Sequence, residues 1–324
     1  MPTVLGSLRR LLLTPSLEQV TFQHRGFPVT RSAATRELER IPQAVICGFE
    51  WGIDARDQTE VERRLSLVSP ELLGFAYEGV TMAFTVLDVT RVGRGDRVAR
   101  LLLGPGHCHI FLAYIGVGIA MARLPRPLWR NVVPDLAGSP YHPTMSWLAV
   151  DGYGFDRAYF DTRTWVYGQR RASAYPWQGA PDYFPRAADQ GIGRALWFIH
   201  GANPTHVTTA VSGFAGERHA DLWSGVGLAA AFAGGCGPDG LATLRQNAGQ
   251  ESPDLAQGAV FAAKARAFSG VVPGHTRSAV AALTELSVEA ASALADAAEV
   301  PPGARTGVPT YERWRKNVRN HFAT

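Results

Sequence analysis

Apolar residues along this chain recur mostly at helical spacing. Val61, Leu65 and Val68 form a stripe of the 3.6-residue type with arginines on the other side, and predict a helix over Thr59–Leu67. Ser278–Ala298 is a long Ala/Leu/Val/Glu stretch with Arg277 before it and Pro301-Pro302 after it. Its intrinsic propensity and its marked ends predict one continuous helix. Leu101–Ala122 carries no Asp, Glu, Lys or Arg over 22 residues, which is membrane-span length. Gly104-Pro105-Gly106 breaks that run, and the unbroken part, Ile110–Ala122, is too short to span. A buried core helix after a turn is expected there. Val4–Leu13 is apolar, but Arg9 and Arg10 interrupt it, which is not the layout of a signal peptide. It predicts a short amphipathic helix packed on the body of the protein, with an interfacial anchor as the alternative. Strand signals are confined to Val20–Val29, Ala44–Ile53 and Trp147–Phe160. The expected fold class is mainly α, with few short strands.

An internal repeat organises the pattern. Gly-Val-x-apolar-Ala occurs at Gly79–Ala83, Gly116–Ala120 and Gly225–Ala229, and more loosely at Gly258–Ala262. The first and third copies lie about 146 residues apart, and the second and fourth about 142. Val61, Leu65 and Val68 fall opposite Val207, Val211 and Phe214 at the larger offset. This order and spacing predict a duplication. The expected layout is an N-terminal amphipathic segment and loop (1–39), a first helical half (40–165), a linker (166–189) and a second helical half (190–324). Glycine and alanine four apart share one helix face and let a partner helix approach closely. The halves are expected to be related by a pseudo-twofold axis, with a ligand cleft between them.

Composition narrows the class. Hydrophobic residues make up 46% and charged residues 19% of 324, which excludes overall disorder and gives enough chain for a large core. A net charge of +4 without an aromatic-interleaved basic stretch argues against nucleic-acid binding. Cys47, Cys108 and Cys236 are few, odd in number and far apart. They point to a reducing, cytoplasmic compartment and no disulfide framework. The chain is expected to be soluble, or membrane-associated only through a partner.

Familiar catalytic signatures are missing: no G-x-S-x-G elbow, no P-loop and no H-E-x-x-H. Gly225-Val-Gly227 sits in a helical pattern and is not a dinucleotide fingerprint. His107 and His109, if extended, would point to one side and could share a metal with Glu78, Asp88 or Asp151. A turn bonded to a helix N-terminus is the favoured alternative, and no metal site is predicted. Glu78 stands in an otherwise apolar helix beside a close-packing face, where burial would suit it to acid/base work. The alternative is a salt bridge to a core arginine. Its repeat counterpart is Ser224. Asp151 opens a Gly-x-Gly segment, and Asp221 precedes the third copy as a candidate helix cap. Glu78, Asp151 and Asp221 are the candidate catalytic residues. His109, Tyr153, His200 and Trp223 are the candidate substrate-binding residues. No cofactor is indicated.

Four strings carry a family likeness: Cys47–Gly52, Gly74–Gly79, Trp147–Phe155 and Asp221–Ala229. They resemble the UnbL-type proteins, a domain family of unknown function found in actinobacterial enediyne gene clusters. The likeness extends from about Arg36 through nearly all of the chain. It implies a role in maturing the linear polyene made by the enediyne polyketide synthase into the enediyne core. It also implies UnbV-type and UnbU-type cassette proteins as partners, and a hydrophobic polyene or enediyne-core intermediate as ligand. The activity would be cyclisation, desaturation or rearrangement. A non-catalytic chaperone or a scaffold subunit is the alternative. The family carries no established catalytic residues.

Overall fold

A computed structural model describes residues 10–11, 14–90, 95–301 and 307–323. It is mainly α-helical, with no strand among the described residues. The chain divides into two compact units. One is Met1–Gly26 with Glu39–Tyr153; the other is Phe27–Leu38 with Gly154–Thr324. The division runs through two helices, α1 (Ala33–Asp54) and α6 (Trp147–Phe160).

The first unit also holds α2 (Gln58–Leu65), α3 (Pro70–Val89), α4 (Arg97–Leu102) and α5 (Ile110–Arg123). Asp57 starts α2 by accepting the Glu60 amide at 3.0 Å, and Val61 and Leu65 are its buried stripe. Every residue of α5 from Ile110 to Ala122 is buried, as expected of a core helix. By length and composition α3 could cross a membrane, but most of its apolar window is buried inside the protein. The bent pair α12 (Gly274–Thr284) and α13 (Val288–Ala298) passes the same test when its two members are taken together.

Glycines set the helix spacing in this unit. A Cβ on Gly48 would overlap the Ala76 carbonyl, and one on Gly79 the Val45 carbonyl. Gly116 stands in the same way against Glu78, Gly118 against Ala149, and Gly152 against Ile115. Backbone therefore meets backbone where α1 crosses α3, α3 crosses α5, and α5 crosses α6.

The second unit follows the same rule. It contains α7 (Phe184–Ile199), α8 (Pro204–Ser212), α9 (Gly216–Ala233), α10 (Pro238–Ala248), α11 (Ser252–Ser269), α12, α13 and α14 (Thr310–Phe322). Gly154 meets Ala188, Gly193 meets Leu222, Gly225 meets Gln190, Gly227 meets Leu255 and Gly258 meets Ser224.

Several sequence expectations are corrected. Ala44–Ile53 lies within α1 and Trp147–Phe160 is α6, because their glycines serve helix crossings rather than strands. Val20–Val29 holds a single helical turn, Phe22–Arg25, ended by left-handed Gly26. Ser278–Ala298 is two helices, bent by 63°. Glu285 adopts a left-handed conformation (φ 60°), and the Ser287 hydroxyl caps Ala290 at 3.1 Å, so local capping outweighs propagation. His107–His109 is a 3₁₀ turn leading into α5, in keeping with the turn favoured from the sequence over an extended segment. The expected helix at Val4–Leu13 falls almost entirely outside the described residues; Arg10 and Leu11 are helical.

Candidate functional site

A cavity of about 510 Å³ lies within the second unit. Its walls are made where three helices end irregularly. Past α6 the chain makes a π-helical turn, Arg163–Tyr167, in which the Gly168 amide reaches the Arg163 carbonyl at 2.9 Å. Such turns are uncommon and cluster at functional sites. The turn places Val166 and Tyr167 on the cavity, with Tyr167 largely exposed. Gln169 follows at φ 50° and donates its side-chain amide to the Gly213 carbonyl, tying the turn to the end of α8.

The opposite wall comes from the end of α7. His200 is its C-cap, followed by Gly201 and Ala202, both at φ 58°. The Gly201 and Ala202 amides bond the carbonyls of Phe198 (3.0 Å) and Trp197 (2.8 Å), closing the helix in a left-handed turn. Alanine rarely adopts this conformation, so the turn stores strain beside the cavity. Asn203 then caps α8 by accepting the His206 amide at 3.1 Å. The lining is completed by His206, Thr209, Ala210, Gly213, Phe214 and Pro28.

His200 is the unusual group. Both ring nitrogens are buried and neither has a hydrogen-bond partner. Burial, reinforced by the His206 imidazole, pushes its pKa down to about 4. The ring is therefore neutral at physiological pH, with one donor and one acceptor. The rings of His200 and His206 stand edge to face at 6.4 Å.

The wall behind the cavity is held by a buried ion pair. Arg218 binds Asp189 through two bonds (2.6 and 3.1 Å) and donates to the Gln169 carbonyl at 2.9 Å. Its guanidinium also covers the Phe214 ring at 4.6 Å.

Asp221 belongs to a different polar cluster in the same unit. It is not a helix cap: α9 starts at Gly216, and Asp221 sits in its second turn. Its carboxylate accepts from Arg186 at 2.8 Å and from Arg315 at 2.9 Å. Glu312 accepts from Arg315 (2.9 Å), Arg319 (2.6 Å) and Arg186 (3.2 Å), and from the Tyr183 hydroxyl at 2.7 Å. Burial would raise the Glu312 carboxyl, but Arg315, Arg319 and Arg186 together hold it down at about 2. Burial pushes Asp254 up to about 6 despite Arg319 and Arg315. Ser224 donates to Gln257 at 2.8 Å, and Gln257 accepts from Arg315 at 3.0 Å. The cluster joins α7, α9, α11 and α14.

The seven candidates from the sequence are divided between the units. Glu78 is buried on α3, and Asp151 is fully buried on α6. His109 stacks on Tyr77 at 4.5 Å, and Tyr153 meets the Trp129 ring edge-on at 5.1 Å. These four belong to the first unit. His200, Asp221 and Trp223 belong to the second, with Trp223 buried on α9. Of the seven, His200 lines the cavity. Sequence reasoning missed Gln169 and Tyr167, which carry no motif, and read Phe214 only as a repeat position. It also missed Arg315, although helical spacing places Arg315 beside Tyr311, Trp314 and Val318, a cation on an apolar stripe. Among the described residues no group of three or more His, Cys, Asp or Glu could hold a metal ion. Cys47, Cys108 and Cys236 are free thiols.

Fold and site thus define an all-helical protein with glycine-packed helix crossings in both units and an apolar cavity in the second. Residues 4–322 match the family model described as a protein of unknown function, DUF1702, and the chain belongs to that family. No curated protein and no solved structure matches it.

Proposed function

We propose that the protein binds a small, largely apolar molecule in the cavity beside His200. The observation that carries this is the lining: about 510 Å³ of space without one Asp, Glu, Lys or Arg on its wall. Ligand sites of this size are typically apolar, with a few placed polar groups. Together with the resemblance to UnbL-type proteins, this supports an accessory role in enediyne biosynthesis. The ligand is then the linear polyene or an early enediyne-core intermediate, and the protein helps its processing. In this reading it works in the cytoplasm, free or held at the membrane by a partner, beside UnbV-type and UnbU-type proteins. Glu78 and Asp151 keep a catalytic alternative open, because both are buried carboxylates in the first unit.

Deleting the gene in a producing strain and complementing with variants tests both readings. Ala210→Trp fills the cavity and is expected to leave an intermediate accumulating, detected by mass spectrometry. Glu78→Gln is expected to restore production. Full restoration by Ala210→Trp would remove the cavity from the function. A folded but inactive Glu78→Gln would favour acid/base catalysis.

A further inference from the structure

Resting on the proposal that this cavity is the binding site, we infer that its occupant is an uncharged apolar molecule with one oxygen function, a hydroxyl or carbonyl, that His200 meets. The inference starts from what the wall offers. The Thr209 hydroxyl is already donated to the Thr205 carbonyl at 3.0 Å, and the Gln169 amide to Gly213. Arg218, the cation behind the wall, is committed to Asp189 and to the Gln169 carbonyl. Tyr167 and His206 are exposed at the cavity and can bond water, whereas His200 has both nitrogens buried and uncommitted.

Buried polar groups are ordinarily hydrogen-bonded, so a ring with two orphaned nitrogens at a cavity calls for a partner. The nitrogens are sealed in the present orientation. No hydrogen bond holds the ring there, so turning it about Cβ–Cγ to present a nitrogen to the cavity breaks none. A neutral imidazole then donates to a carbonyl, or donates to or accepts from a hydroxyl. A carboxylate or phosphate would enter the cavity with no Lys or Arg on its wall to meet it, which is unfavourable.

Three probes with polyene bodies test this by fluorescence titration of the full chain at pH 8: 1,6-diphenylhexatriene, which has no oxygen, retinol, and retinoate. Wild type is expected to bind retinol about tenfold more tightly than retinoate. His200→Leu is expected to lose about tenfold for retinol, the worth of one hydrogen bond, and to keep diphenylhexatriene within about twofold. His200→Gln retains a donor and an acceptor and is expected to keep most of the retinol affinity. Retinoate binding as tightly as retinol would overturn the inference. So would a His200→Leu variant with unchanged retinol affinity, or one losing both neutral probes equally. Binding of none of the probes to wild type, with Ala210→Trp complementing fully, would instead overturn the cavity proposal itself.

Discussion

Arg315 has a fully buried side chain and lies between two carboxylates, Asp221 and Glu312, each at 2.9 Å. Without Arg315, Asp221 keeps only Arg186 and Glu312 only Arg319 and Arg186, so two buried carboxylates each lose a close cation in a low-dielectric interior. Arg315→Leu is therefore expected to cost about 3–5 kcal/mol in urea unfolding, although leucine is the more apolar side chain. Asp254 is the opposite case. Its folded pKa of about 6 lies above the ordinary aspartate value, so the folded state favours the protonated form. That contribution is fully present below the unfolded pKa, near 3.9, and is lost as pH rises through about 6. At pH 7 the ionised group is a liability, and Arg319 still has Glu312 at 2.6 Å if Asp254 is neutralised. Asp254→Asn is expected to gain stability relative to wild type between pH 4 and pH 7, by up to about 2–3 kcal/mol. Urea midpoints at the two pH values check it, and an unchanged difference would refute it. Glu312 has the reverse sign: its stabilisation is present above its unfolded pKa and fades as pH falls through about 2.

At the scale of helices, two effects compete at Gly225. Helix propensity favours alanine over glycine by about 0.8–1.0 kcal/mol. Packing opposes it, because a Cβ there would overlap the Gln190 carbonyl, and backbone cannot step aside as a side chain can. Overpacking of this kind costs about 1–3 kcal/mol, so packing wins. Gly225→Ala is expected to lower the melting temperature, and Gly79→Ala, against the Val45 carbonyl, to do the same. A higher melting temperature in either variant would show that the crossing can open without cost.

Across the whole molecule, three crossings in the first unit have counterparts in the second. Gly48 on Ala76, Gly79 on Val45 and Gly116 on Glu78 correspond to Gly193 on Leu222, Gly225 on Gln190 and Gly258 on Ser224. Both members of each pair follow the repeat spacing seen in the sequence to within a few residues. If the chain arose by duplication, α1, α3 and α5 should superpose on α7, α9 and α11. Failure of the Gly79 and Gly225 helices to overlay would refute the duplication. The Glu78–Ser224 difference also has a local setting: Ser224 sits in the hydrogen-bonded cluster around Gln257 and Arg315.

Helix content and the close-packing glycines were legible in the sequence because both arise from local periodicity. A stripe at 3.6 spacing and a Gly-x-x-x-Ala face hold for whatever partner helix comes to meet them. The break at Glu285 was not legible, because residues 278–298 have helical composition throughout and a single left-handed residue decides the bend. The cavity was not legible either. Its wall joins a π turn at 163–167, the end of α7 at His200, and α8, segments whose residues carry no shared motif. From the sequence, His200 was one of four substrate-binding candidates with nothing to set it apart. Its two partnerless nitrogens became visible once tertiary packing had buried the ring and supplied nothing for it to bond. Asp221 shows the converse. Its position before a glycine face suggested a cap, but Arg186 and Arg315, both distant in the chain, bind its carboxylate, and only the docking of α14 brings Arg315 to it.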